Sequence, residues 1–302
     1  MALEPPTTHM QTCFASSLRI ALVSAGLLAV PAVQGCAAND RDDAITERTP
    51  DSTVADAARE SKPLDWGDFG LILFHVCSPD GGVNVDALHE NSALIDSTVK
   101  SLADVGPRSQ PAAFPESDAK TAYYINASNL LMLAELSSVM GAGGQTSRRL
   151  SPSSAQRWRI DGGEETVFSL RNKAIAAARE DWRVRMALFS GRMDGPPLWN
   201  RVMLGDMLDV QLDEITWAAM KSPRVVRPDF SENKRLLVCE ELFELKELLV
   251  EDYERRLGTS HATLLNVILE WLDGFDRESM NAVVGYPVEL LPKDWSLPLA
   301  KN

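Results

Sequence analysis

The stretch that most restricts how this chain can fold is Thr121–Leu133, TAYYINASNLLML. Ala122, Ile125, Met132, Leu133 and Leu136 recur at helical spacing, which predicts a helix with one buried face. Asn129 falls on that face, one turn from Ile125 and from Leu133, and Asn126 three residues earlier points the same way. A buried amide left without partners costs roughly 1–3 kcal/mol. Two of them on a core-facing helix therefore require partners. Either backbone from another segment closes on the amides and ties a loop to the helix, or the amides line a pocket.

Length and charge narrow the classes. The 302 residues suit one large domain with extensions, and 45% apolar and 24% charged content is ordinary for a folded protein. A net charge of −13 and a pI near 4.8 argue against nucleic acid, whose phosphates demand clustered Lys and Arg. The same balance argues against electrostatic docking on anionic lipid.

The first residues read as an address rather than as fold. Arg19 precedes the apolar run Ile20–Val33, which is shorter than the ~20 residues a spanning helix needs. A basic residue, an apolar core and small residues before a break have the pattern of a secretory signal. The break, Val33-Gln34-Gly35-Cys36, resembles a bacterial lipobox, which makes Cys36 the expected lipidated residue and membrane the expected partner. Met10 is an alternative start. Residues 1–35 are thus read as a signal peptide ending in a lipobox, 36–61 as a flexible tether without aromatics, and 62–302 as one globular domain. Cys77 and Cys239 remain in the domain, each in an apolar setting that suits a buried thiol, although a periplasmic location also permits pairing.

Along the domain, Leu64–Val76 predicts a helix or short buried helix-strand element anchored by Trp66, Phe69 and Phe74. A Pro79–Gly82 turn and a helix through about Val105 follow. Ser117 is a candidate cap for the asparagine helix. Gln156–Ile160 and Glu165–Ser169 around Asp161-Gly162-Gly163 predict a hairpin, and Val225–Pro228 with Lys234–Val238 a second. Gly205–Lys221, Glu240–Leu257 and His261–Phe275 predict helices, the last capped by Ser260. Glu240, Glu241, Glu244 and Glu247 follow helical spacing with Lys246 interleaved and read as a solvated face. His75 reads as a core-edge residue, and Trp295 as a core seal. His75, His89 and His261 share no zinc-type spacing, so neither a metal nor a cofactor is expected.

The aromatic-Ile-Asn-x-x-Asn pattern at Tyr124–Asn129, the run Ser169–Asn200 and the closing Lys293–Leu297 together resemble the bacterial domain-of-unknown-function family 547. The resemblance keeps Leu170, Arg179, Arg183, Val184, Ala187, Leu188 and Pro196-Pro197-Leu198. It departs at the reactive positions: Ala174 and Ile175 stand for a Glu-His pair, Arg185 for a strand His, Ser190 for a first Cys and Gly195 for a second. Glu, His and Cys in neighbouring elements would furnish a thiol nucleophile with its base, or a metal site. Arg185 is permanently charged and cannot act as that base.

The resulting expectation is an α+β fold, a mainly helical single domain with small β-hairpins and a short central strand at Val184–Phe189. Functionally it is a lipid-anchored, periplasm-facing envelope protein. A non-catalytic domain would bind a peptide, glycan or protein through Asn126, Asn129, Arg179 and Arg185, or would scaffold a complex. The alternative is a hydrolase or acyl transferase using Ser190, with an asparagine as oxyanion donor and a base still to be found.

Overall fold

A computed structural model describes residues 64–140 and 156–300. The leader, the lipobox with Cys36 and the tether lie outside the described residues. The domain is α+β and mainly helical, with two small sheets. Among the described residues no helix is long and apolar enough to cross a membrane.

α1 (Gly67–Val76) buries Phe69, Ile72, Leu73 and Val76. Trp66 leans on Phe69 and Tyr123 at 5.8 Å. Phe74, an expected anchor, is 76% exposed, because it lies on the outer face, one and two residues past the inward Leu73 and Ile72. His75 is likewise exposed rather than at the core edge. The Pro79–Gly82 turn needs glycine at 81: its φ is +70°, and a Cβ there would meet Pro197 at 2.2 Å. The helix expected to run through Val105 is two, α2 (Val85–Glu90) and α3 (Ser92–Ser101), divided at Asn91, whose side chain bonds back to the Ala87 carbonyl.

α4 (Ser117–Met140) is the axis of the domain. Nearly every side chain from Thr121 to Leu136 is buried, so this helix is covered on all sides rather than on one face. Ala122 and Ile125 belong to one apolar cluster, and Tyr123, Leu130, Leu131 and Leu133 to a second on the other side. Ser117 does not cap it. Its hydroxyl donates to the Ala177 carbonyl, and the first helical bond runs from Lys120 N to the Glu116 carbonyl.

β1 (Trp158–Ile160) and β2 (Gly163–Glu165) pair across Asp161 and Gly162, whose φ values of 53° and 72° match the turn that suits a two-residue hairpin. The Asp161 carboxylate accepts bonds from the Arg108 and Ser109 backbone and from the Ser109 hydroxyl, fixing the hairpin to the preceding connector. The second strand stops at Glu165 rather than continuing to Ser169, because Thr166 and Ser169 form a reciprocal cap that starts α5 (Val167–Ala177).

The expected strand at Val184–Phe189 is a correction. Residues Val184–Ala187 form one helical turn, α6, begun by the Asp181 carboxylate accepting from Arg183 N at 3.0 Å. A half-buried strand would alternate, whereas Met186, Ala187, Leu188 and Phe189 are all buried.

α7 (Leu208–Lys221) buries the expected Leu208, Leu212, Ile215 and Ala219. β3 (Val226–Asp229) and β4 (Arg235–Val238) form the second hairpin, and β5 (Val288–Leu290) joins β4 in parallel, Leu236 facing Val288. α8 (Glu240–Leu257) ends on Gly258 in the left-handed conformation. The expected helix His261–Phe275 is α9 (Leu264–Glu270) and α10 (Gly274–Asn281), split at Trp271–Asp273. Thr263 with Asn266, not Ser260, caps α9. Trp295 is half-buried, and Leu297 is the residue that closes the core near the tail.

Candidate functional site

The asparagines resolve first. Asn126 Nδ2 donates to the Met203 carbonyl at 2.9 Å, and its Oδ1 accepts from Met203 N at 2.8 Å. Asn129 repeats the pattern with the Ala187 carbonyl at 2.9 Å and Phe189 N at 3.0 Å. Each amide therefore pairs both ways with backbone, as in a strand ladder. They tie two loops to α4 and do not line a pocket, nor are they aimed at Ser190 as oxyanion donors. Arg179 is also set apart, exposed at a φ of 56° just after α5.

Arg185 and Ser190 do meet, in a cleft of about 510 Å³ bounded by α4, α5, the 185–192 loop, the first turn of α8 and Trp295. That volume is of the size that holds a small molecule. One wall is apolar, made by Met132, Val167, Phe168 and Ile175. The other is charged. Arg185 Nη1 lies 3.0 Å from Glu244. Arg192 pairs with Glu240 and Asp194, each at 3.1 Å, and lies over the Trp295 ring at 5.1 Å. Arg171 donates to the Leu188 and Phe189 carbonyls and stands 3.8 Å from Glu241. Burial pulls the Arg171 pKa down, and Glu241 partly offsets it.

The expected solvated face at the start of α8 holds for Glu244 and Glu247, which are exposed, and fails at Glu241. Glu241 is buried, Glu240 is half-buried and paired with Arg192, and Glu244 is paired with Arg185 at the exposed rim of the cleft. A signal for this existed. Glu241 is four and eight residues before Leu245 and Leu249, on the inward face of the helix.

Ser190 Oγ is buried and has no hydrogen-bond partner, and none of His75, His89 and His261 lines the cleft. A methyl group on Gly195 would come within 2.3 Å of this hydroxyl, so the glycine leaves room for it. Comparison with protein-family models, curated proteins and solved structures gave no match. Residue roles here rest on the geometry of this chain.

Sequence reasoning missed Glu135 as it missed Arg171 and Arg192. Glu135 projects from the buried run of α4 between Leu131 and Leu136, is 9% exposed, and its Oε1 has no partner. Desolvation pushes its pKa from 4.5 up to about 7. An acidic residue inside an otherwise apolar stretch was the available sign. Among the described residues, Cys77 and Cys239 are free thiols, and burial drives each pKa upward, Cys77 to about 12. No cluster of three metal-type ligands exists among the described residues.

Proposed function

We propose that this chain is a lipid-anchored envelope protein whose domain binds a ligand without transforming it. The reading is carried by the cleft: arginines held by glutamates, an apolar wall opposite, and a serine hydroxyl with no base in hydrogen-bond reach. Preformed charge pairs orient a ligand, whereas a serine nucleophile requires a partner that accepts its proton. The partner is a peptide, glycan or protein segment small enough to seat in the cleft. Lipid on Cys36 would hold the domain at the membrane, facing the periplasm.

One observation favours a second reading, a hydrolase using Ser190. Glu135 shares the cleft, and a carboxyl with pKa about 7 suits general-base work. A fluorophosphonate probe separates the two. The binding reading expects equal, background labelling of wild type and Ser190→Ala. Labelling confined to wild type establishes the hydrolase.

Anchoring has its own test. Expressed in a bacterium that lipidates exported proteins, the wild type is expected in the detergent phase of a Triton X-114 partition, and Cys36→Ala in the aqueous phase. Aqueous partition of both discards the lipoprotein assignment.

A further inference from the structure

We propose that the ligand of this cleft carries a primary amine on an apolar stem and that its ammonium group seats on Glu135. The proposal rests on reading the cleft as a binding site and names what that site selects.

The argument is one of charge matching. Arg185 answers Glu244, Arg192 answers Glu240 and Asp194, and Arg171 faces Glu241. Glu135 is the cleft carboxyl without a counter-cation among the described residues, and its neighbours along α4 are Leu131, Met132 and Leu136. An anionic ligand would meet arginines already neutralised and an uncompensated carboxylate beside them. A cation would supply what Glu135 lacks, and a charge-assisted hydrogen bond in such a setting is about twice as strong as a neutral one.

The stem follows from the other wall. Met132, Val167, Ile175 and the 63% exposed Phe168 offer apolar surface next to the carboxyl. A hydrocarbon laid there would cover Phe168, a ring that the described residues leave largely exposed. Burial keeps the carboxyl close to its ionisation point near neutral pH, so an arriving ammonium would hold it ionised. The other charged groups sharing the cleft are Arg171 of α5, Arg185 of α6, Arg192 of the loop and Glu240, Glu241 and Glu244 of α8.

Calorimetric titration of the purified chain with n-octylamine, n-octanoate and n-octanol at pH 8 tests this directly. The amine stays charged at that pH, as a lysine side chain does with pKa ~10.4. Octylamine is expected to bind at least tenfold tighter than either analogue. Glu135→Gln should erase that preference, bringing the amine to the level of the alcohol. Lowering the pH to 5.5 should weaken the amine several-fold by protonating Glu135. Phe168→Ala, an exposed change, should weaken all three alike. Equal binding of the three, or a preference for octanoate, that Phe168→Ala still weakens overturns the amine assignment and leaves the cleft as a binding site. Binding by none, or binding indifferent to Phe168→Ala, overturns both.

Discussion

Asn129→Ala is expected to lower the unfolding free energy by roughly 2–5 kcal/mol, because it strands two buried backbone groups at once. The Ala187 carbonyl and Phe189 N have Asn129 as their side-chain partner, at 2.9 and 3.0 Å. Truncation removes both bonds and offers neither group an alternative inside the core. For a domain of this size each kcal/mol shifts Tm by roughly 2–4 °C. Urea unfolding followed by far-UV circular dichroism gives the number. A loss under about 1 kcal/mol, the worth of a single ordinary hydrogen bond, would sink the double-tie account. The residues held are also those between which Leu188 sits, whose carbonyl receives Arg171. The variant should therefore loosen the cleft wall as well as the fold.

Glu135→Gln is expected to do the opposite, and only above acid pH. The carboxyl titrates near 4.5 when unfolded and at about 7 when folded. A raised folded pKa of an acid means the native state holds its proton longer. Below 4.5 both states are protonated and the wild type has no penalty. Between 4.5 and 7 the unfolded chain ionises first, and stability falls as the pH rises. Above 7 the full cost applies, at most about 3 kcal/mol at 1.36 kcal/mol per pKa unit and less as solvent in the open cleft screens the charge. Glutamine carries no such cost, so its advantage over wild type should be small at pH 4.5 and grow to that order by pH 8. Paired urea titrations at both pH values check it, and a pH-independent difference would reject the buried, unpaired carboxyl.

How much of this was legible in the sequence follows from where the interactions are local. α8 could be read to its ends, since an apolar repeat bounded by Gly258 is information within one segment. The hairpin at Asp161-Gly162 was legible for the same reason, turn chemistry at two adjacent residues. The buried amides of Asn126 and Asn129 announced a need for partners, and the loop-tying alternative is the one realised. Which backbone groups would answer was not visible, because Met203 lies 77 residues from Asn126. β5 escaped because a parallel three-residue strand has no local signature and depends on β4 for its existence. The helical turn at Val184–Ala187 was misread as strand because the family that this run resembles implies a strand there, and a short apolar run suits either state. The cleft was the least legible part. Arg171 and Glu241 are remote in sequence, and their pairing arises only when α5 meets α8.

The last described residues have a consequence for biogenesis. β5 completes its sheet against β4, the Pro298 carbonyl accepts from Val83 N at 2.6 Å, and Ala300 N donates back to Val83 at 3.0 Å. Met193 N, beside Arg192, donates to the Asp294 and Ser296 carbonyls. A nascent chain thus carries open seams at Val83, Met193 and β4 until residues 288–300 have been made. Open strand edges invite wrong partners. The cleft, with Trp295 as its final wall, comes into being only when translation has passed that tryptophan.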